Sequence, residues 1–265
     1  MLEQKALVTG ATAGLGRAVA LALAEQGAHV VVHGRDAKRA NAVVERIAEA
    51  GGKAEACLVD LGSLAQVRDL AEQVGEVGLL VNNAGVGAGR PPYRKRELSA
   101  DGHELRLAVN YLAPVLLTRR LLSGLGSGAR IVNVGSVGQA PVDFADLRLD
   151  RGYRGSEAYF RSKFALAAFT FDLAAELDGR DVTVNCVHPA SLMNTHMVRE
   201  SLIPPMSTVG TGAKAVLNVA TGAAGERSGR YFDGLNPAPA HEGTYDLATR
   251  ARLREATAEM LASFL

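Results

Sequence analysis

Residues 9–16 read Thr-Gly-Ala-Thr-Ala-Gly-Leu-Gly; they follow a short apolar run and precede an Ala- and Leu-rich segment with helical periodicity. A strand that turns through glycines into a helix presents free backbone N–H groups and the positive end of the helix dipole, which together bind a pyrophosphate. We expect Gly10 to form the turn, Gly14 to give the phosphates access to the backbone, and Gly16 to allow close packing of helix and strand. The spacing of these glycines differs from that of the commonest dinucleotide fingerprint. An ordinary tight turn is therefore the alternative, and the surrounding strand and helix must decide between the two.

Short apolar runs recur along the first half of the chain, at residues 6–8, 29–33, 54–59, 78–81 and 130–134. Gly, Asp or Asn bounds each run, and the segments between them carry apolar residues at helical spacing. This alternation predicts an α/β fold with one doubly wound parallel sheet of about seven strands and helices on both faces. Such sheets bind ligands outside the carboxyl ends of their strands. We therefore expect one edge of the sheet to carry Thr9, Gly34, Asp60, Asn82 and Ser136.

The composition fits one soluble globular domain over residues 1–265, with 48% hydrophobic residues and a formal net charge of +1. The near-neutral charge favours neither nucleic acid nor an acidic membrane surface as a partner. No apolar run approaches the roughly 18 residues of a membrane span, and no signal-peptide pattern is present, so a cytoplasmic protein is expected. Cys57 and Cys186 lack metal-type spacing and are predicted to be reduced and buried, and no metal site is predicted. The excess of arginine over lysine and the abundance of alanine favour a bacterial origin.

Tyr159 and Lys163 are four residues apart in a segment predicted to be helical over about residues 156–178. An i,i+4 pair shares one face of a helix. A nearby ammonium favours the phenolate and lowers the tyrosine pKa, which would make the phenol a useful acid or base at neutral pH. A surface tyrosine beside a solvated lysine is the alternative.

These motifs occur in the order seen in the short-chain dehydrogenase/reductase family, which the chain resembles over essentially its whole length. The resemblance rests on the glycine turn, Asn82-Asn83-Ala84-Gly85, Asn110, Ser136, the Tyr159/Lys163 pair and residues 187–195. It implies a Rossmann-type fold. The long segment between Ser136 and Tyr159 is most similar to the retinol-dehydrogenase-like and protochlorophyllide-reductase-like branch, in which bacterial members of unassigned substrate are expected to be the nearest relatives.

The resemblance implies four catalytic residues. Tyr159 would give a proton to a carbonyl oxygen or take one from an alcohol, and Ser136 would hydrogen-bond that oxygen. Lys163 would lower the tyrosine pKa and bind the nicotinamide ribose, and Asn110 would hold a water that passes protons to Lys163. Taken alone, Asn110 could be a helix-kinking residue and Ser136 a turn residue.

The resemblance also implies a set of cofactor contacts. Asp60 would contact the adenine amine and Thr195 the nicotinamide carboxamide. Two departures from the family pattern are Ala190, which replaces a glycine, and Gly78, which replaces an Asp and is expected to remove a polar support on the adenine side. The expected cofactor-binding residues are Gly10, Thr12, Gly14, Leu15, Gly16, Arg35, Asp60, Leu61, Asn83, Ala84, Gly85, Tyr159, Lys163, Pro189 and Thr195.

The end of the second strand favours NADP(H) over NAD(H). An acidic residue there would bind a free ribose hydroxyl, whereas this chain has Gly34 followed by Arg35. A planar guanidinium matches phosphate geometry, and Lys38 and Arg39 could add charge. Asp36 could instead read the ribose, but it is better placed to cap the following helix.

The sequence therefore predicts an NADP(H)-dependent oxidoreductase that interconverts a carbonyl and an alcohol on a small, mainly apolar substrate. A carbon–carbon double-bond reductase and a redox-silent NADP(H)-binding protein are the alternatives. Residues 190–206, rich in methionine and flanked by prolines, are predicted to form a substrate lid, with a packed amphipathic helix as the alternative. Residues 138–157 are predicted to share substrate selection, unless their charges are merely solvated. The family resemblance implies a homodimer or homotetramer built on helices at about residues 101–123 and 156–178.

Overall fold

The computed structural model describes residues 4–93 and 95–265. Within them one sheet has the strand order β3-β2-β1-β4-β5-β6-β7-β8. The strands are β1 (Lys5–Val8), β2 (His29–Gly34), β3 (Lys53–Leu58), β4 (Val77–Asn82), β5 (Leu125–Val134), β6 (Val182–His188), β7 (Arg230–Asp233) and β8 (Asn236–Pro237).

The connections between the strands are mainly helical. The helices are α1 (Gly14–Glu25), α2 (Ala37–Glu49), α3 (Leu64–Val74), α4 (Leu105–Leu107), α5 (Ala113–Leu121), α6 (Gly155–Glu176), α7 (His196–Glu200), α8 (Val209–Ala220) and α9 (Leu247–Leu261). A π-helical turn at Ala108–Leu112 joins α4 to α5, and short 3-10 helices lie at Leu122–Gly124, Ala223–Glu226 and Glu242–Thr244.

The predicted doubly wound sheet is confirmed. Strands β1 to β7 pair in parallel, and only the two-residue β8 is antiparallel, against β7. The eighth strand was not expected, because two residues carry too little periodicity to be recognised. Strand β5 also begins at Leu125, five residues before the predicted start, with an irregular pairing to β4 near Val77.

Two hydrophobic cores cover the two faces of the sheet. One core contains buried residues of α1, α2 and α8, such as Leu23, Ile47 and Val216. The other contains residues of α3, α5, α6 and α9, such as Leu70, Leu116 and Leu253. Burial on both faces explains why the central strands read as continuous apolar runs rather than as alternating ones.

The last helix, α9, packs on α5 and α6. Leu253 and Leu261 on α9 are 3% and 1% exposed within the same core as those helices. Tyr111 and Thr257 share a hydrogen bond of 2.7 Å between their hydroxyl oxygens, and Arg254 forms two 2.8 Å bonds to the carboxylate of Asp172. The chain's own α9 thus occupies part of the surface of the helices that the family resemblance assigns to oligomer contacts.

The bounds of two helices and the state of the two cysteines can be compared with the predictions. The predicted catalytic helix at residues 156–178 is α6, and Cys57 and Cys186 are both free and buried, as predicted. The helix expected at residues 101–123 begins only at Leu105 and contains the π-helical turn. Among the described residues, none of the helices is both long and apolar enough to cross a membrane.

Candidate active site

The glycine turn between β1 and α1 has the geometry of a phosphate cradle. Gly10 and Gly14 have φ angles of +66° and +52°, which a side chain would strain. A Cβ atom on Gly16 would collide with the Gly10 carbonyl oxygen and the Asn83 side chain. Ala13 at the start of α1 provides no side-chain cap, and the first turn lacks an acidic residue. The N–H groups at this helix end are therefore left for an anion, which fits a bound pyrophosphate.

A buried histidine that the sequence analysis missed holds this turn in place. His33, 2% exposed at the end of β2, accepts a 3.0 Å hydrogen bond from Gly10 N at Nδ1. Its Nε2 lies 3.2 Å from the carbonyl oxygen of Val59, so the ring is a neutral tautomer with its proton on Nε2. Burial lowers the pKa of His33 from 6.5 to about 4. The only signal in the sequence is a polar residue at the end of an apolar strand.

The turn after β4 is tied to the glycine turn by Asn83 and Thr9. Asn83 Nδ2 donates a 2.7 Å hydrogen bond to Thr9 O, and Thr9 Oγ1 accepts bonds from the backbone N–H groups of Asn83 and Ala84. Asn82 points the other way and donates to Thr118 and Asn133 in the interior. Asn83 therefore shapes the cleft, and Asn82 is structural.

The groups expected at the adenosine end lie together at the ends of β2 and β3. A Cβ atom on Gly34 would collide with Thr12 Cγ2, so Gly34 allows the two segments to approach. Arg35 Nη1 lies 3.6 Å from Asp60 Oδ2, and both side chains are largely exposed. An exposed ion pair of this kind is weak, which leaves the guanidinium able to turn toward a phosphate. Asp36 caps α2 by accepting from Arg39 N, as its position suggested.

Tyr159, Ser136 and Lys163 come together beside the carboxyl end of β5. Lys163 is 4% exposed and donates a 2.7 Å hydrogen bond from Nζ to the Val134 carbonyl oxygen. The same Nζ lies 5.8 Å from the centroid of the Tyr159 ring, and the Ser136 side chain lies close enough to the Tyr159 phenol to lower its pKa. An acid, a hydroxyl partner and a cation therefore share one small site.

The pKa of Tyr159 differs from the expectation. Burial raises the pKa of Tyr159 above its ordinary value, and the nearby Ser136 side chain only partly opposes this shift. The expected lowering by Lys163 is not seen, because Nζ is directed at Val134 O rather than at the phenol. Burial also lowers the pKa of Lys163 from 10.5 to about 8, so the ammonium remains the main form at neutral pH.

Asn110 lies within the π-helical turn that joins α4 to α5. The turn is closed by an i,i+5 bond from Ala113 N to Ala108 O, and π-helical turns are frequent at functional sites. The Asn110 side chain exchanges two hydrogen bonds with the backbone of Val86 and donates a third to Ser162 Oγ. Asn110 thus joins the β4 turn to the catalytic helix, and its predicted role in holding a water stays a prediction.

Comparison with known proteins identifies the family of this site. A sequence model of the family described as short chain dehydrogenase matches residues 4–203. The chain belongs to the short-chain dehydrogenase family.

A retinol dehydrogenase among its relatives places this short-chain dehydrogenase on the predicted retinol-dehydrogenase-like branch. Retinol dehydrogenase 12 of Bos taurus is 34% identical over 276 residues, which cover 96% of this chain and 85% of the relative. Polyprenol dehydrogenase of Mus musculus is 42% identical over 212 residues, which cover 74% of this chain but only 62% of the relative's length.

A solved ketoreductase shares the fold. The angucycline C-6 ketoreductase LanV, whose crystal structure contains bound NADP, has a TM-score of 0.71 and 31% identity to this chain, with coverage of 87% of this chain and 93% of that one. The proteins to which this chain is similar are thus named as dehydrogenases and as a ketoreductase.

The segment predicted to be a lid lies across the cleft of this short-chain dehydrogenase. A Cβ atom on Gly14 would lie 3.3 Å from Thr195 Cγ2, and one on Gly87 would collide with Met197. Tyr93 donates from its hydroxyl to Ser201 O at 3.3 Å. The segment therefore runs from the glycine turn to the loop after β4. Only the five-residue α7 is helical, and none of its residues is buried, so the packed amphipathic helix considered above is not formed.

A buried charged cluster, which no local pattern in the sequence predicts, anchors the segment at residues 138–157. Glu104 and Arg106 are 0% and 2% exposed and form a 3.1 Å ion pair. Tyr153 donates to Glu104 Oε1 and accepts from Arg106 Nη1, both at 2.8 Å, and Arg106 Nε donates to Gly87 O. This cluster fixes the residues just before the catalytic helix.

Some of the remaining residues predicted from the family pattern lie at the site, and others do not. Leu15 and Leu61 are buried, and Pro189 packs beside Gly212 of α8. Gly85 faces two of the predicted catalytic residues, since a Cβ atom there would lie 3.3 Å from Asn110 Oδ1 and 3.8 Å from Lys163 Nζ. The expectation that Gly78 removes a polar support on the adenine side is corrected. Residue 78 lies near the start of β4, away from the ligand edge, so a side chain at this position would not reach the adenine side. Ala190 follows β6 directly, before the lid.

Proposed function

We propose that the chain is an NADP(H)-dependent carbonyl reductase and alcohol dehydrogenase that acts on small, mainly apolar substrates. The observation that carries this proposal is the convergence of Tyr159, Ser136 and Lys163 at the carboxyl end of β5, at the same sheet edge as the glycine turn. Ligands of doubly wound sheets bind at that edge.

The residues divide the chemistry between them. The cofactor, when bound, supplies or accepts the hydride. Ser136 and Tyr159 would both hydrogen-bond the substrate oxygen, and Tyr159 would deliver its phenolic proton as negative charge develops there. Lys163 would stabilise the resulting phenolate by its charge and would bind the nicotinamide ribose. Thr195 and Pro189 would contact the nicotinamide end.

The raised pKa of Tyr159 keeps its phenol in the form that reduction requires. A half-buried phenol with a raised pKa remains protonated at neutral pH and is therefore ready to donate. In the oxidising direction the same residue must first lose its proton, which Lys163 would promote by electrostatic stabilisation. We therefore expect alcohol oxidation to need a higher pH than ketone reduction.

An apolar substrate matches the side chains near the cleft. Val137 beside Ser136 and Phe160 beside Tyr159 are 54% and 39% exposed, and Phe160 packs on Gly138. The lid adds Leu202, Ile203 and Met206, which are 71%, 41% and 78% exposed. Exposed apolar side chains in such numbers favour a ligand-binding surface.

The proposed reaction is tested by measuring NADPH consumption with a panel of ketones and a matched panel of enones. Ketone reduction supports the proposal, reduction of only the enone double bond supports the double-bond reductase, and tight NADPH binding without turnover supports the redox-silent protein.

A substitution then tests the acid. Tyr159→Phe is expected to lower kcat by at least about 100-fold while the Kd for NADPH changes little, since the hydroxyl acts in the transition state. Tyr245→Phe, a hydroxyl loss on a surface turn, is the matched control and should retain activity. Substantial turnover in the Tyr159→Phe protein would mean that another group supplies the proton.

A further inference from the structure

The backbone carbonyl of Ser136 accepts two side-chain hydrogen bonds. The Tyr231 hydroxyl donates to it at 2.8 Å, and Gln139 Nε2 donates to it at 2.8 Å. Both lone pairs of this carbonyl are therefore used, and the peptide plane that follows Ser136 has little freedom to rotate. The Ser136 hydroxyl in turn accepts a 3.1 Å bond from Gly138 N within the same turn.

Tyr231 is held rigidly beneath this turn. It is 4% exposed, lies on β7 and pairs with Cys186 of β6. Its ring packs in a small cluster with Phe171, Ala167 and Ala240. Burial raises the pKa of Tyr231 well above its usual range, so its hydroxyl keeps its proton and remains a donor.

Gly135 brings the backbone close enough for this bond. A Cβ atom there would collide with Cys186 Sγ and would lie 3.6 Å from Tyr231 Cε2. Gly135 N also donates a 2.8 Å bond to Val187 O, which extends the β5–β6 pairing by one residue. The chain therefore enters the Ser136 turn directly above the Tyr231 ring.

Gln139 connects the same carbonyl to the segment that follows β8. Its Oε1 accepts a 3.2 Å hydrogen bond from His241 N. The His241 ring packs edge-on against Phe164 of the catalytic helix, with ring centroids 5.3 Å apart. The bond to Gln139 Oε1 thus fixes the orientation of the side-chain amide, and Gln139 Nε2 faces the Ser136 carbonyl oxygen.

We propose that Tyr231 and Gln139 are positioning residues that fix the Ser136 peptide and thereby aim the Ser136 hydroxyl at the substrate oxygen. Neither residue needs to touch the substrate. The proposal rests on the proposed function, in which Ser136 hydrogen-bonds that oxygen. It also assigns a functional role to β7 and to the segment after β8, which contribute none of the predicted catalytic residues.

The test is a double-mutant cycle. Tyr231→Phe is expected to lower kcat for ketone reduction about tenfold, with little change in the Kd for NADPH, because Ser136 loses part of its alignment. In a Ser136→Ala background, the same substitution should have no further effect on kcat, because Tyr231 acts through Ser136. Equal losses in both backgrounds would show a general structural effect and would overturn the proposal, as would an unchanged kcat in Tyr231→Phe.

Two more variants strengthen the cycle. Gln139→Met should show the same dependence on Ser136, which preserves the test if Tyr231→Phe does not fold. Tyr245→Phe is the matched control, because its hydroxyl accepts from Ala240 N in the same segment but does not reach Ser136. A tenfold loss in Tyr245→Phe would assign the effect to the segment as a whole and contradict the specific role of Tyr231.

A readout without turnover separates this proposal from the proposed function. The Gly138 N–H, which donates to Ser136 Oγ, should exchange with solvent deuterium faster in Tyr231→Phe than in the parent protein. Its exchange rate in Tyr245→Phe should equal that of the parent protein. If the parent protein reduces no carbonyl, the proposed function fails, but the exchange rate still tests whether Tyr231 orders the Ser136 turn. An unchanged Gly138 exchange rate in Tyr231→Phe would refute the positioning role.

Discussion

His33 holds the glycine turn between β1 and α1 as a neutral ring, and this makes the turn sensitive to acid. The pKa of His33 is lowered by burial from 6.5 to about 4, so between these values the unfolded chain binds a proton that the folded chain does not. Stability conferred by the neutral ring is complete above pH 6.5 and is lost as the pH falls toward 4, by a total of about 3 kcal/mol.

We therefore expect His33→Gln, which keeps a donor and an acceptor but does not titrate, to flatten this part of the pH dependence. The measurement is the free energy of unfolding in urea for the parent and the variant across this pH window. The difference between the two proteins isolates His33 from other titrating groups. Parallel curves would show that His33 is not the group responsible.

Arg35 is the residue that would decide between the two nicotinamide cofactors. Gly34 supplies no carboxylate, and the Arg35 guanidinium is exposed and only weakly paired with Asp60. We expect NADPH to bind at least about tenfold more tightly than NADH, because the guanidinium matches a 2′-phosphate. Arg35→Asp should abolish or invert this preference.

The cofactor preference is measured by titrating each cofactor against the parent protein, Arg35→Asp and a control. The control Arg46→Asp makes the same change of charge in α2, more than two turns from Asp36 at the start of that helix. This variant should leave the cofactor preference intact. Equal affinities of the parent protein for NADPH and NADH would rule out the role of Arg35.

At the scale of elements, the segment at residues 190–206 lies over the cleft and contains no fully buried residue. It contains one five-residue helix without buried residues, and Leu192 and Leu202 have φ angles of +47° and +60°, which are unfavourable for leucine. Elements with few buried apolar contacts are those that open most readily. These features favour the lid.

The lid is tested by hydrogen exchange of residues 193–206. We expect fast exchange in the free protein and marked slowing when NADPH and a substrate are both bound, with α8 protected throughout as the internal reference. Equal protection of residues 193–206 with and without ligands would place substrate selection elsewhere, for example at residues 138–157, which Tyr153 anchors.

At the scale of the whole molecule, α9 decides which surface is available for self-association. The family resemblance predicts a dimer or tetramer through α5 and α6, but α9 occupies part of this surface within one chain, through the buried Leu253 and Leu261 and the Arg254–Asp172 pair. We therefore expect a monomer of 27.8 kDa by light scattering.

A charge placed beneath α9 provides the complementary test. Leu253→Asp should loosen the helix, because an unpaired carboxylate is costly in an apolar core, and should expose the α5 and α6 faces. Concentration-dependent association of this variant is expected, whereas Arg252→Asp, a change on an exposed position of the same helix, should stay monomeric. A parent protein that is already dimeric would contradict this expectation.

Much of the fold follows from local sequence. The alternation of apolar runs and helical segments predicted the strands near their observed bounds, because both periodicities are properties of a few neighbouring residues. The glycine turn, the i,i+4 pair on α6 and the Asp36 cap were predictable for the same reason: each depends on a spacing within one element.

What the sequence determined by itself is therefore the alternating order of strands and helices and the residues that the strand ends bring to one edge. Tertiary structure alone decided which distant groups meet there. His33 joins Gly10 to Val59, Tyr231 reaches Ser136 from β7, and α9 shares a core with α5 and α6. These contacts join residues tens of positions apart, and they depend on strand order and burial, which set both the partners and the pKa values. A local pattern contains no information on either, because the same tyrosine or histidine would be solvated, and chemically ordinary, if a different element packed against it.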